Sequence, residues 1–236
     1  MASVALIGPD GAGKTTLTRM LEKSGEFRFK YIYMGIDVAA SNFALPTSRL
    51  ARRLKSRLKG NGPTTLRIPA TKGTEATLPG GRGRGGAITA AARLANRLAD
   101  EWYRQLVSWL YERRGFIALY DRHFVFDFSR EVSGQAFETF DRRIHRWCLE
   151  RFYPRPDLVI FLDAPGELLF ARKGELTIEE LERRRQAFVE VGRRMPSFRR
   201  VDATRPLDEV YAEIVRHIGM LQGTPRDAAP APEVAR

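Results

Sequence analysis

Short apolar runs alternate along the chain with longer stretches in which apolar residues recur every three or four positions. The runs predict five strands and the stretches predict helices, because these are the periods of buried strands and amphipathic helices. The predicted strands are residues 3–8, 30–34, 116–120, 157–162 and 198–201. The predicted helices are residues 14–23, 45–59, 87–114, 137–152, 165–171, 177–195 and 207–221. Such alternation predicts an α/β fold with a five-stranded parallel sheet flanked by helices on both faces.

One predicted helix, residues 87–114, carries its large apolar side chains along a single face. That face consists of Leu94, Leu98, Trp102, Leu106 and Trp109. Because the spacing of Trp102 and Trp109 is typical of a helix that packs on a core, we expect both indoles to be buried.

Positive charge is concentrated in one segment of the 236-residue chain, whose formal net charge is +12. Residues 45–99 contain Glu75 as their one acidic residue. Their basic residues are Arg49, Arg52, Arg53, Lys55, Arg57, Lys59, Arg67, Lys72, Arg82, Arg84, Arg93 and Arg97. Residues 60–86 are rich in glycine, and we expect a mobile loop there because such a segment buries too little apolar surface to offset its ordering entropy. The sequence thus predicts one nearly neutral domain, residues 1–222, with a basic insert at about residues 45–86.

Composition also bears on the compartment. The single cysteine, Cys148, excludes a disulfide framework. No apolar run approaches the ~18 residues that span a bilayer, and the first residues lack the pattern of a signal peptide. We therefore expect a cytoplasmic protein with a disordered tail at residues 223–236. The sequence pI of about 10.3 favours anionic partners.

Residues 8–15 read GPDGAGKT and match the pattern G-x-x-x-x-G-K-[ST]. Glycines in such a loop let backbone amides turn toward phosphate oxygens, and the start of the following helix adds a positive dipole end. Lys14 can reach the β- and γ-phosphates, and the Thr15 hydroxyl can ligate Mg²⁺. The motif follows a strand and opens a helix, so it predicts an ATP site. The residues expected to bind the nucleotide are Gly8, Gly11, Ala12, Gly13, Lys14, Thr15 and Thr16.

Acidic residues stand inside this loop and at two strand ends. Asp10 is either a turn-favouring residue or a carboxylate that faces the acceptor of a phosphoryl group. Asp121 ends the third predicted strand and Asp163 the fourth. We favour Asp121 as the second Mg²⁺-binding residue because a cation, Arg122, follows it and can clamp a phosphate. Asp163 fits a helix cap better.

A predicted lid, residues 172–186, contains a cluster of basic side chains. These are Arg172, Lys173, Arg183, Arg184 and Arg185. Thr177 and Glu180 form a capping-box pattern at the start of a helix. Lid arginines over a phosphate site neutralise charge during phosphoryl transfer, although charge runs on helices are usually solvated faces.

Together these motifs resemble the thymidylate kinase family of P-loop kinases. The similar segments, in the order of the family, are GPDGAGKTT at residues 8–16, YDRH at 120–123, PDLVIFLDAPGELLFARKGE at 156–175 and VDATRPLDEV at 201–210. The resemblance covers roughly residues 1–35 and 115–220. It implies a five-stranded parallel sheet, MgATP as the donor and phosphoryl transfer as the reaction.

The resemblance also implies roles for individual residues. Lys14 and Thr15 would hold the donor phosphates and the metal, and the backbone at Ala203 would pack on adenine. Family members that lack a basic residue at the position of Ala12 place arginines in the lid, which fits Arg172. The residues expected to act in catalysis are Lys14, Asp10, Asp121, Arg122 and Arg172, with Asp10 at the acceptor sugar, Asp121 at the metal and Arg122 at the acceptor phosphate.

The acceptor remains open because the family's thymidylate-recognition segments are not recognisable after residues 31–35 or in residues 123–130. A nucleoside monophosphate is the leading hypothesis. The alternative is a kinase of the same fold that acts on a sugar, a glycan or another small-molecule hydroxyl. A third hypothesis is a non-catalytic NTPase whose insert binds nucleic acid or an anionic membrane surface. The oligomeric state is also open, with a homodimer among the options.

Overall fold

The structure, a computed structural model, describes residues 2–35, 42–43, 45, 84–127, 140–174 and 176–223. The strands are β1 Ala2–Ile7, β2 Phe29–Tyr33, β3 Ile117–Asp121, β4 Leu158–Asp163 and β5 Phe198–Asp202. The helices in these ranges are α1 Lys14–Ser24, α2 Arg84–Arg113, α3 Phe124–Asp127, α4 Phe140–Phe152, α5 Gly166–Lys173, α6 Ile178–Gly192 and α7 Leu207–Leu221. Every predicted strand is therefore present, within one residue of its expected bounds.

The five strands form one sheet in the order β2-β3-β1-β4-β5, and every neighbouring pair is parallel. The predicted α/β fold with a five-stranded parallel sheet flanked by helices is confirmed. The central strand β1 pairs with both β3 and β4, and Leu6 lies opposite Asp121 on one side and Ile160 on the other. The carboxyl ends of β1, β3 and β4 thus meet at one edge, where ligands of such sheets bind.

Apolar layers cover both faces of the sheet, because successive side chains of a strand point to opposite faces. On one face Leu6 packs in a cluster with Leu17 of α1 and Ile214 of α7. On the other face Ile7 packs in a cluster with Phe188 of α6. All six residues of β1 are buried, as expected for the central strand of a parallel sheet.

Helix α2 packs with its polar side inward. Its buried polar residues are Asp100, Glu101, Arg104, Gln105, Ser108 and Glu112. Trp102 and Trp109 are 38% and 37% exposed, so the prediction that both indoles are buried is wrong. The predicted apolar face exists, but it points away from the sheet.

The inward polar side chains of α2 have partners in the interior. Arg104 forms an ion pair with Asp100 and donates a hydrogen bond to the carbonyl of Gly35 at 2.9 Å. His145 of α4 lies 2.8 Å from a carboxylate oxygen of Glu101. Buried polar groups that are paired in this way avoid the free-energy cost of desolvation without a partner. This pairing lets α2 bury the side that periodicity alone assigned to solvent.

The beginning of the insert is attached to the free edge of β2. The side chain of Asn42 donates to the carbonyl of Tyr31 at 2.7 Å and accepts from the backbone amide of Tyr33 at 3.1 Å. The backbone amide of Leu45 donates to Asp100 at 2.9 Å. These contacts occupy polar groups of the edge strand that sheet pairing leaves open.

Other predictions for the insert are corrected or lie outside the described residues. Helix α2 begins at Arg84, so the end of the loop predicted at residues 60–86 is helical. The alanine-rich residues 87–92 favour helix, and the helix continues back from them across two glycines. The predicted helix at residues 45–59 and the tail after Gly223 fall outside the described residues. None of the helices in the described ranges combines the length and the apolar character needed to cross a membrane.

Truncation of Leu6 tests the central position of β1. Leu6 is fully buried, so we expect Leu6→Ala to lower the free energy of unfolding by about 2–5 kcal/mol. Leu207→Ala is the matched control, because Leu207 is 41% exposed and its truncation should cost much less. Denaturant unfolding measures both. Equal losses in the two variants would contradict this account of the core.

Candidate functional site

The loop between β1 and α1 has a backbone that requires glycine. Gly8, Gly11 and Gly13 have φ values of 149°, 90° and 87°, in the region that side chains disfavour. A Cβ atom at Gly11 would lie 2.7 Å from the carbonyl oxygen of Leu169, so α5 packs directly on the loop. Sequence and packing therefore agree on a rigid turn at the carboxyl end of β1.

Lys14 opens α1 and folds back over this loop. Its side chain is buried, and Nζ donates to the carbonyls of Gly8 at 2.8 Å and Pro9 at 2.6 Å. An ammonium group and a helix N-terminus thus stand at the same turn, a combination that favours anion binding. Ala12 is buried within the loop, whereas Thr16 is exposed on the first turn of α1.

Thr15 and Asp121 come together across the β1–β3 pair. The Thr15 hydroxyl donates to Oδ2 of Asp121 at 2.8 Å, and the hydroxyl of Tyr31 donates to the same oxygen at 3.2 Å. Among the described residues, the other oxygen of Asp121, Oδ1, is buried without a hydrogen-bond partner. Hard cations such as Mg²⁺ prefer oxygen ligands. The Thr15 hydroxyl and the Oδ1 atom of Asp121 provide two such oxygens next to each other. The two residues predicted to bind the metal therefore fit that role.

Asp10 lies at the centre of a cationic cluster. Arg122 pairs with its carboxylate at 2.5 Å, Lys173 lies at 3.7 Å and Arg184 at 3.9 Å. Burial raises the pKa of Asp10, but the charges of Arg122 and Lys14 outweigh burial and hold that pKa well below its usual range. Asp10 is thus an ionised carboxylate that pairs with side chains from α5, from α6 and from the residue after β3, beside the glycine loop.

The backbone of Arg122 is unusual for a non-glycine residue. Its φ is 69°, in the left-handed region, which is strained for most side chains. This backbone conformation turns the chain sharply after Asp121. The Asp121 carboxylate and the Arg122 guanidinium therefore both lie at this edge of the sheet.

Asp163, the alternative candidate for the metal site, has different partners from those predicted. Arg185 donates to it at 2.6 Å and Arg200 donates to it at 2.6 Å. Pro165 is the N-cap of α5 and makes no side-chain capping bond, so the prediction that Asp163 caps this helix is wrong. Both carboxylate oxygens of Asp163 instead accept charge-assisted hydrogen bonds from guanidinium groups. Asp163 ties α6 and β5 to β4.

Arg172 and Ala203 lie beside each other. The Arg172 guanidinium donates to the carbonyl of Ala203 at 3.1 Å, and the amide of Ala203 donates to the carbonyl of Asp163 at 2.8 Å. The basic residues of the predicted lid thus have different partners, and two of them lie away from Asp10, since Arg185 pairs with Asp163 and Arg183 pairs with Glu180. Arg172 stands at the loop after β5, whereas Lys173 and Arg184 reach Asp10.

Tyr31 is the site residue that the sequence analysis missed. Its hydroxyl reaches Asp121 because β2 pairs with β3. No sequence motif marks a tyrosine at this position as a site residue. His123, which follows Arg122, is fully buried among aromatic rings rather than placed at the site, and burial lowers its pKa to about 3.

No protein-family model matches this chain, and no curated protein shows significant sequence similarity to it.

The first turn of α6 has the Thr177 half of the predicted capping box, whereas the Glu180 side chain binds arginines. Thr177 accepts a hydrogen bond from the backbone amide of Glu180 at 3.2 Å. The carboxylate of Glu180 accepts from Arg183 at 2.7 Å and from Arg184 at 3.0 Å. The hydrogen bond from Arg183, followed by that from Arg184, lowers the pKa of Glu180 to about 2, although burial opposes the shift.

Glu180→Gln tests this carboxylate. Because its pKa falls from 4.5 to about 2 on folding, its contribution to stability is complete above pH 4.5 and disappears as the pH falls toward 2. The melting temperature of the wild type should exceed that of Glu180→Gln at neutral pH, and the difference should shrink across this window. Thermal melts at a series of pH values measure it, and a difference that does not change with pH would contradict the prediction.

Proposed function

We propose that this protein is an ATP- and Mg²⁺-dependent kinase, similar to thymidylate kinases, which transfers the γ-phosphoryl group of ATP to a small acceptor. The observation that carries the proposal is the contact of Thr15 with Asp121 at 2.8 Å, beside a glycine loop and a buried lysine. It joins the hydroxyl of the phosphate-binding motif to an acid at the end of the neighbouring strand, which is the arrangement that P-loop NTPases use for their metal.

In this proposal the donor lies along the glycine loop. The backbone amides of the loop and of the first turn of α1 bind the phosphates, and Lys14 exchanges its carbonyl partners for phosphate oxygens. Thr15 and Asp121 hold Mg²⁺, and Tyr31 orients the carboxylate through its hydrogen bond. The metal supplies charge neutralisation at the donor phosphates. In this proposal the base packs on the backbone at Ala203, beside Arg172.

The acceptor meets the cationic cluster around Asp10. Arg122, Lys173 and Arg184 converge there and neutralise the charge that spreads over the transferred phosphoryl group. Asp10 remains ionised because of those cations, so it can accept a hydrogen bond from the acceptor and orient it.

The leading acceptor class is a nucleoside monophosphate, whose phosphate Arg122 would clamp. One observation favours a second class, a sugar, glycan or other hydroxyl acceptor without a phosphate. Arg122 already pairs with Asp10 at 2.5 Å, and a hydroxyl acceptor leaves that ion pair intact. A phosphate acceptor would instead share the guanidinium with that carboxylate.

Substitutions at the donor site test the kinase proposal. We expect Lys14→Ala to lower kcat by about a hundredfold or more, as removal of a group that stabilises transition-state charge does. Asp121→Asn should raise the Mg²⁺ concentration needed for half-maximal binding of a fluorescent ATP analogue. Asp157→Asn is the matched control because Asp157 lies at the opposite end of β4, where it bonds Ser3. Wild-type ATP binding and turnover in Lys14→Ala would overturn the proposal.

An acceptor panel decides between the two acceptor classes. Purified protein, MgATP and each nucleoside monophosphate, sugar or oligosaccharide are assayed for ADP release. Turnover with a nucleotide, lost in Arg122→Lys through a raised KM, supports the first class, since lysine cannot clamp a phosphate bidentately. Turnover with a phosphate-free hydroxyl compound well above any nucleotide establishes the second class.

A further inference from the structure

Two helices that pack against each other carry apolar stripes on their outer sides. On α2 the stripe contains Trp102, Leu106, Trp109 and Leu110, which are 38%, 52%, 37% and 45% exposed. On α4 it contains Phe140, Trp147 and Phe152, which are 76%, 57% and 56% exposed. We call these seven residues the α2–α4 face. Exposed apolar surface of this extent marks an interaction site more often than an accident of composition.

The aromatic side chains pack together within each stripe, and Tyr153 contacts the α2 stripe. The ring centroids of Trp102 and Trp109 are 6.2 Å apart, and Trp102 lies 5.6 Å from Tyr153, which follows α4. Trp147 and Phe152 pack edge to face at 5.2 Å. Tyr153 therefore links the α2 stripe to the end of the α4 stripe.

Exposed arginines border both stripes. Arg113 follows Trp109 by four positions on α2, and Arg143 and Arg151 lie four positions before and after Trp147 on α4, so they share a helical face with the apolar residues. Arg155, also exposed, lines a small surface cavity together with Trp109.

The acidic residues of α2 are withdrawn from this face. Asp100, Glu101 and Glu112 are all buried on the inner side of the helix. Among the described side chains of the two helices, Glu150 is the acid that remains exposed. In the sequence, the basic residues 45–99 lead directly into the α2 stripe. The described border of the face is therefore cationic, and the segment that precedes it in the sequence is strongly basic.

We propose that the α2–α4 face docks on an anionic phospholipid bilayer. Tryptophan favours the boundary between headgroups and acyl chains, and leucine and phenylalanine favour burial just below it. Arginines that border such side chains bind anionic headgroups while their stems cover apolar surface. In this arrangement α2 lies flat on the membrane, with its polar side held by the protein and its apolar side in the lipid.

Charge and composition favour a membrane over two other occupants. A second copy of the chain would bring two arginine-bordered faces together, and like charges across an interface oppose association. Nucleic acid would satisfy the arginines and stack on aromatic rings, but exposed leucines at the centre of the face gain nothing from phosphates or bases. An anionic bilayer satisfies the arginines, the indoles and the leucines together.

The chain offers its own probe, because its three tryptophans, Trp102, Trp109 and Trp147, all belong to this face. The full chain is mixed with vesicles of phosphatidylcholine alone or of an equimolar mixture of phosphatidylcholine and phosphatidylglycerol. We expect co-sedimentation, a blue shift of tryptophan emission and quenching by brominated acyl chains with the anionic vesicles. Vesicles of phosphatidylcholine alone should give much weaker binding.

Paired variants assign the effect to the face. Leu106→Gln/Leu110→Gln should weaken vesicle binding by about tenfold, because each leucine loses its burial in lipid. The matched control is Met220→Gln/Leu221→Gln, in which two exposed apolar residues of α7, on the other side of the sheet, are changed.

The second pair of substitutions tests the arginines. Arg143→Gln/Arg151→Gln should weaken vesicle binding by about fivefold for each arginine removed. Its control is Arg193→Gln/Arg194→Gln, directly after α6, at side chains that are 73% and 72% exposed.

Four results would overturn the proposal. The first is no binding to anionic vesicles. The second is binding without a change in tryptophan emission, which would assign the contact to another basic surface. The third is a dimer in sedimentation velocity that Leu106→Gln/Leu110→Gln dissociates, which would make a second copy the occupant. The fourth is binding to RNA or DNA that competes with vesicles and is insensitive to the leucine variant.

Discussion

The parallel pairing of β1 with β3 is the constraint on which the candidate site depends. It places Leu6 opposite Asp121, so the loop that leaves β1 turns over the carboxylate that ends β3. The Thr15 hydroxyl, at the first turn of α1, then lies 2.8 Å from that carboxylate. A different neighbour for β1 on this side would leave the strand, glycine loop and helix without this acid. One hydrogen-bonded strand pair thus assembles residues that are more than a hundred positions apart.

Two carboxylates at this edge of the sheet pair with different basic side chains. Asp10 gathers Arg122, Lys173 and Arg184, whereas Asp163 binds Arg185 and Arg200. Consecutive arginines of α6 therefore point to different acids, because neighbouring positions on a helix diverge by about 100°. Helix α6 is thereby tied both to the glycine loop and to the sheet. That double attachment supports the proposed role of its arginines in phosphoryl transfer, since it holds cations beside the loop before any substrate arrives.

Helix α2 shows how tertiary partners decide which side of a helix is buried. Its inner side is held by charged pairs and by a hydrogen bond to the carbonyl of Gly35, and its outer side carries tryptophans and leucines. Buried ion pairs contribute less to stability than apolar packing of the same volume, but they fix the position of a helix. The arrangement frees the apolar stripe for a partner outside the chain. The same helix therefore connects the site-forming end of β2 with the proposed membrane-docking face.

Features that depend on neighbours along the chain could be predicted from the sequence. Strand and helix positions follow from periodicity, and the glycine loop, Lys14 and Thr15 lie within eight residues, so covalent geometry keeps them together. The Thr177 cap is local in the same way. The sequence favoured Asp121 over Asp163 for the metal because Arg122 follows it, but the contact of Asp121 with Thr15 depends on strand pairing. The pairing of Asp163 with arginines, the contact of Tyr31 with Asp121 and the burial of the polar side of α2 were visible only in the tertiary structure. These outcomes depend on strand order and on partners far away in the sequence, and a hydrophobic pattern cannot distinguish an apolar stripe that faces the core from one that faces a surface partner.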